Sequence, residues 1–217
     1  LIVFVKHPEP GSVKTRLAAA LGSETAAGLY RALAEGVLEA TVPRSGEYET
    51  LVFFDPPGAA EAMRAWLPGM RLRPQCAGDL GARMNAAFAR AFARGGRRVA
   101  IIGTDVPAVT RETVVDALAA LDEADVVVGP AEDGGYSLLA LRALRPELFE
   151  GVAWSTPAVL EQTLARAATA GLRVRQLRPL RDIDTLEDVQ AEWPRIRRLL
   201  KGRPELQQRV EAVLGLP

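Results

Sequence analysis

The sequence holds 217 residues, 48% of them hydrophobic and 25% charged, which suffices for one sizeable apolar core. Its 27 basic residues balance 27 acidic ones, so no global field exists to hold a nucleic-acid backbone and any anion site must be local.

In chain order, the apolar run LIVFV (1 to 5) reads as a buried strand, and HPEPGSVKTRL (7 to 17) follows it into a helix. Lys14 and Arg16 then fall at the start of that helix, where the backbone dipole favours anions and opposes cations. With Lys6 and a Gly11 that permits close backbone approach, the loop reads as a phosphate cradle. It matches neither the Walker spacing nor the dinucleotide GxGxxG pattern. Further strands are expected at TLVFF (50 to 54), RVAII (98 to 102) and DVVVG (125 to 129), each separated by helical patterns, as in βαβ units around a parallel sheet.

After the short run RLRPQ, GDLGARM (78 to 84) places Gly78, Asp79 and Arg83 where a tight loop would line a nucleotide pocket; Asp79 as a plain helix cap is the competing reading. From Asp79 to Arg94, the recurrence of Leu80, Met84, Phe88 and Phe92 every fourth residue predicts an amphipathic helix with those four as core. Beyond Tyr136 the rhythm changes. SLLAL reads as a strand, helices are expected near 157 to 170 and 185 to 200 around a short strand at LRVRQL, and residues 203 to 217 form a helical tail, packed or available for a homodimer contact. The chain shows no internal repeat or long linker and reads as one α/β domain over residues 1 to 217.

Ligands of open α/β sheets bind beyond the carboxyl ends of the strands, and the residues there carry the chemistry. Asp105 in GTDVP and Asp184 in DIDTLED, each at a predicted strand end, offer hard oxygen ligands suited to Mg2+ or Mn2+ on a polyphosphate. Asp182 is the rival of Asp184, because residues two apart in an extended segment share a face. Asp133 reads either as a base toward an acceptor hydroxyl or as a turn residue before Gly134 and Gly135. Gly134, Gly135, Tyr136 and Trp154 are expected to shape the acceptor side, with Trp154 as core the competing reading. The only histidine, His7, is too isolated for zinc or a serine triad. Cys76 stands alone, so no internal disulfide forms, and a buried, inert thiol is expected. No apolar run reaches the roughly 18 residues of a membrane span and the opening run is too short for a signal peptide, so a soluble cytoplasmic protein is expected.

The motifs KHPEPGSVKTRL, QCAGDLGARM, GTDVP, GPAEDGGYSLLAL, WSTP and DIDTLED, in that order over about residues 1 to 190, resemble the bacterial DUF2064 family, described as glycosyltransferases and linked to arsenosugar biosynthesis. The resemblance implies the GT-A, or nucleotide-diphospho-sugar transferase, fold with a donor nucleotide over the amino-terminal half. More distantly, the basic loop is similar to that of phospholactate guanylyltransferase, where cations in this place face a nucleoside triphosphate. Related nucleotidyltransferases hold their metal on acidic residues that correspond to Asp105 and Asp184, which is what favours Asp184 over Asp182. The expectation is a metal-dependent transferase that takes a nucleotide or nucleotide-sugar donor and a small-molecule acceptor. A non-catalytic nucleotide-binding module on the same fold is the alternative, and would need the cradle but not both carboxylates.

Overall fold

The structure is a computed structural model and describes residues 1 to 216. Its centre is a seven-stranded sheet made of β1 (Ile2–Lys6), β2 (Leu51–Asp55), β3 (Leu72–Pro74), β4 (Val99–Ile102), β5 (Val126–Pro130), β6 (Tyr136–Leu141) and β7 (Val174–Gln176). The spatial order is β3-β2-β1-β4-β6-β5-β7. Only β6 runs against its neighbours, pairing antiparallel with both β4 and β5, which is where the rhythm of the sequence changes. The chain builds outward from β1 through β2 to β3 and then returns to β4 on the other side of β1. That reversal creates a crevice at the carboxyl ends of β1 and β4.

Alternation along the strands divides the core in two. Val3, Val5, Val52, Phe54 and Ile102 point to one face, where α2 (Ser23–Ala40) and α5 (Arg111–Ala120) cover them. Ile2, Phe53, Val99, Ile101 and Leu139 point to the other, under α4 (Leu80–Ala93) and α6 (Val159–Thr169). A third cluster joins α1 (Thr15–Leu21) and α2 to the carboxyl-terminal helices α7 (Leu186–Ala191), α8 (Trp193–Leu199) and α9 (Pro204–Leu214), through Leu17, Leu29, Leu33, Ile183, Ile196 and Val210. This last cluster matters for function because it seats the segment around Asp184 beside the loop that follows β1.

Three sequence expectations change. The helix expected over 185 to 200 is split into α7 and α8, because Pro194 lacks the N–H that a continuous helix would require and instead opens a new first turn. On α4 the buried face is Gly81, Met84, Ala87, Phe88 and Ala91, while Leu80 is 41% exposed. A strict four-residue spacing advances about 40° per step around a 3.6-residue helix, so the ends of such a row leave the core face. Cys76 is exposed. Gln75, at the end of the short strand β3, turns inward, and the next residue alternates outward. Over Pro204–Leu214, α9 packs on the domain, with Val210 fully buried against α1 and α2. Among the described residues, no helix is long and apolar enough to cross a membrane.

Glu35 on α2 ties this packing together at the surface. Its carboxylate accepts hydrogen bonds from Trp66 Nε1 of α3 (Ala60–Trp66) at 2.7 Å and from Arg31 Nε at 2.9 Å, and it also contacts Arg203 at the entry to α9. Partial burial works against its charge, but these donors outweigh it and hold the carboxyl below its ordinary value. A depressed folded-state value stabilises the protein above the ordinary carboxylate range, and that contribution fades as pH falls through it. Glu35→Gln is therefore expected to cost about 1 kcal/mol at pH 7. In paired urea titrations the difference from wild type should vanish at acidic pH; a gap that persists there would assign the loss to packing instead.

Candidate functional site

A cleft of about 640 Å3 opens at the carboxyl ends of β1 and β4. Its origin lies in the strand pairing. β1 and β4 are in register only at Ile2↔Ile101 and Val3↔Ile102, after which they part. The buried hydroxyl of Tyr30, from α2, fills the gap: it accepts from the Lys6 backbone N–H at 2.8 Å and meets Thr104 Oγ1 at 3.0 Å. Burial pushes this phenol well above its usual range, so it stays a neutral hydrogen-bonding post.

The loop after β1 is fastened by a His7 N–H that donates to the Asp55 carbonyl at 2.7 Å and by the buried Val13. Lys6, Lys14 and Arg16 all line the cleft. Lys6 and Arg16 are exposed, and among the described residues neither forms an ion pair. Gly11 lies outside the lining; its φ of +82° and open surroundings make it a turn residue, which corrects the expected close backbone approach.

Lys14 is arranged differently from the sequence expectation. It occupies the position before α1 in the left-handed conformation, φ 49° and ψ 47°, and its side chain is only 4% exposed. Its Nζ lies 2.8 Å from Asp105 Oδ1 and 2.7 Å from Asp184 Oδ1. Part of the negative charge that the basic loop demands is thus supplied by the chain itself. Burial opposes the ammonium charge, but the two carboxylates outweigh it and hold the Lys14 value above normal.

Three local devices bring these groups together. Val106 is buried and anchors the turn that carries Asp105. The Ile183 N–H donates to the Asp105 carbonyl at 3.0 Å, stitching the two acidic segments to each other. Thr185 caps α7 in a reciprocal box with Asp188, whose carboxylate also accepts from the Asp184 N–H at 3.2 Å, so the DIDT motif fixes the backbone of Asp184.

As a donor set, this pair suits a hard divalent ion. Two carboxylates converge on one cationic centre, and Asp105 Oδ1 is buried without a well-aligned hydrogen bond, since the ammonium beside it approaches off-line. Among the described residues, no group of three or more His, Cys, Asp or Glu side chains is placed to hold a metal. Asp182 is half-buried, and its carboxyl is pushed up to about 6 by burial first and then by Asp133 and Asp184. It does not line the cleft.

On the opposite wall, Gly78, Asp79 and Arg83 line the cleft. Asp79 also caps α4, accepting from the Ala82 N–H at 2.8 Å, as the cap reading has it. Arg83 donates to the Gly78 carbonyl at 2.9 Å and pairs with Asp55 at 3.2 Å, stiffening the wall. Gln75 is a lining residue that the sequence reading missed. It is buried, and its amide donates to the Phe53 carbonyl at 3.1 Å. A polar residue at the end of a short strand is the signal that marks it.

The third side joins the EDGGY and WSTP segments. Tyr136 lines the cleft, while Asp133, Gly134 and Gly135 do not. Asp133 is exposed and accepts from the Gly135 N–H at 2.8 Å, as the turn reading has it. Trp154 also stands outside the lining: its ring stacks on Phe149 at 6.5 Å and against Gly81, so it is core and does not offer its face to a ligand. Its neighbour Ser155 does line the cleft, with a φ of 62°. Lys14 and Ser155 are the two described non-glycine residues with positive φ, and both face this one cavity.

The arrangement defines a nucleotide-diphospho-sugar transferase fold, and comparison with known proteins agrees. A candidate nucleotide-diphospho-sugar transferase from Desulfovibrio desulfuricans G20 is 32% identical over 96% of each chain, with a TM-score of 0.87. The fold extends to a CMP:2-keto-3-deoxy-manno-octonic acid synthetase solved with CTP, at 14% identity, covering 89% of this chain and 98% of that one, TM-score 0.55. It extends also to a Mycobacterium tuberculosis H37Rv protein solved as a complex with manganese, at 18% identity, covering 92% and 97%, TM-score 0.51. No curated protein matches. Residues 38 to 156 match the family described as uncharacterized protein conserved in bacteria, DUF2064. The chain belongs to that family.

Proposed function

We propose that this chain is a metal-dependent transferase that moves a group from a nucleotide-sugar donor to a small-molecule acceptor. The observation that carries the reading is the meeting of Lys14, Asp105 and Asp184 in a cleft that the exposed cations Lys6 and Arg16 also line. The candidate function of the Desulfovibrio relative, which shares 32% of its residues, supports the choice of donor.

Asp105 and Asp184 would hold a Mg2+ or Mn2+ ion, whose charge would stabilise the donor phosphates as the leaving group departs. Lys6 and Arg16 would bind the outer phosphate oxygens, while the stiff wall at Gly78, Asp79 and Arg83 orients the nucleoside. The Tyr136 and Ser155 side faces the acceptor. Such a reaction requires no protein nucleophile, so the chain contributes position and charge. A second reading, nucleotidyl transfer from a triphosphate, draws support from three cations on one loop; release of pyrophosphate distinguishes it.

The test is a thermal-shift series with nucleoside diphosphates, triphosphates and nucleotide sugars, each with and without Mg2+. A donor at a hundred times its Kd should raise the melting point by about 5 to 10 °C with the metal present. Lys6→Ala and Arg16→Ala should each reduce that rise. If no nucleotide of any class shifts the melting point with Mg2+, the transferase reading is wrong.

A further inference from the structure

Lys14 occupies the point between two carboxylates that a divalent ion would need. We infer that Lys14 is an internal counter-cation that exchanges with the metal: its ammonium holds Asp105 and Asp184 together in the free protein, and it passes to a donor phosphate when the ion arrives. The inference rests on the reading of Asp105 and Asp184 as metal ligands and says how that site is filled.

Several features converge on exchange. The Lys14 side chain is 4% exposed, whereas those of Asp105 and Asp184 are 47% and 39% exposed. The ammonium therefore sits beneath the pair, and the carboxylates present their remaining edges to the cleft. Two carboxylates and one ammonium leave a net negative charge, which attracts a divalent ion more strongly than the ammonium already there. The contact with Asp105 is an ion contact without a well-aligned hydrogen bond, whereas Asp184 accepts one from the ammonium at 2.7 Å, so direction holds the lysine on one side only. A strongly solvated metal gains more from the same oxygens only if its shell is completed. Among the described residues no third His, Cys, Asp or Glu side chain is placed to complete it, which gives donor phosphate oxygens and water that role. The released ammonium is carried on the same loop as Lys6 and Arg16, within reach of those phosphates on a flexible four-carbon stem.

The consequence is reciprocal coupling. Metal alone must displace Lys14 without giving it a new partner, and donor alone must draw Lys14 away from two bare carboxylates. Each is weak, and together they reinforce one another. The site would thus accept its donor only as a metal complex.

Mn2+ binding followed by electron paramagnetic resonance, without nucleotide, tests this on the wild type and Lys14→Met. Loss of the competing ammonium should tighten Mn2+ binding about tenfold or more. Equal or weaker binding by the variant overturns the exchange while leaving the metal site standing. Failure of either protein to bind Mn2+, with or without pyrophosphate, overturns the metal site itself. A second measurement needs no substitution. Amine labelling of wild-type Lys14, read by mass spectrometry, should be slow in the free protein, several-fold faster with Mn2+, and slow again with Mn2+ and pyrophosphate. Labelling that stays unchanged at a Mn2+ concentration shown to bind rejects the exchange.

Discussion

Asp105→Asn is expected to lower kcat/KM for donor use by about a thousandfold, roughly 4 kcal/mol of transition-state stabilisation. The substitution keeps the shape of the side chain and leaves the main-chain carbonyl of Asp105, which accepts from the Ile183 N–H, untouched. Lys14 retains Asp184 at 2.7 Å, so the buried ammonium is not stranded. The melting point should consequently move by only a few degrees. In the proposed mechanism the loss would fall on the charge that gathers the donor phosphates, so most of it should appear in kcat when metal is saturating, with a further part in KM when metal is limiting. Steady-state kinetics over a range of Mg2+ concentrations read both. A variant that kept activity within tenfold of wild type at every metal concentration would remove Asp105 from the mechanism.

Much of the cleft is legible in the sequence, for a physical reason. Within the runs at residues 1 to 5, 50 to 54, 98 to 102 and 125 to 129, consecutive residues such as Ile2 and Val3, Val52 and Phe53, Ile101 and Ile102, and Val126 and Val127 are buried, so both faces of each strand are covered. In a parallel sheet the residues just after the strands lie on one rim, which is how Lys6 and Asp105, after the first and third of these runs, come to share a cleft. Partnerships across the rim were not legible. Lys14 and Asp184 are 170 residues apart, and no local pattern announces that the pair will form. Read locally, a lysine before a helix implies a missing external anion, and only the packing of Ile183, Ile196 and Val210 on α1 and α2 brings an internal one. Ser155 escaped for a related reason: its left-handed backbone is imposed by neighbours, and a serine in a sequence carries no sign of it. Trp154 carries two readings in the sequence, stacking on a ligand and core, and the close packing of its ring against Gly81, which has no Cβ to keep it away, is the core one.

Gly134→Ala is expected to destabilise the protein by about 3 kcal/mol and to loosen the cleft at the same time. Two independent costs combine. Gly134 has a φ of +89°, where an alanine is strained by roughly 1 kcal/mol. A Cβ there would also lie 2.2 Å from the Pro157 carbonyl oxygen and 2.8 Å from its Cα, and backbone atoms cannot move aside as a flexible side chain would. The same contact is reinforced by the Leu160 N–H, which donates to the Gly134 carbonyl at 2.9 Å, so the EDGGY and WSTP segments are clamped at this point. Forcing them apart shifts Ser155, two residues before Pro157, and with it the wall of the cleft that Ser155 lines. For a chain of this length the melting point should fall by about 6 to 12 °C. Gly135→Ala supplies the comparison. Its nearest new contact, 3.1 Å, is with the carboxylate of Asp133, a side chain at the surface that can yield, and the expected loss is below about 1 kcal/mol. If calorimetry found the two glycine variants equally stable, the clamp between Gly134 and Pro157 would not be a structural feature of the folded protein, and the position of Ser155 in the cleft would lose its support.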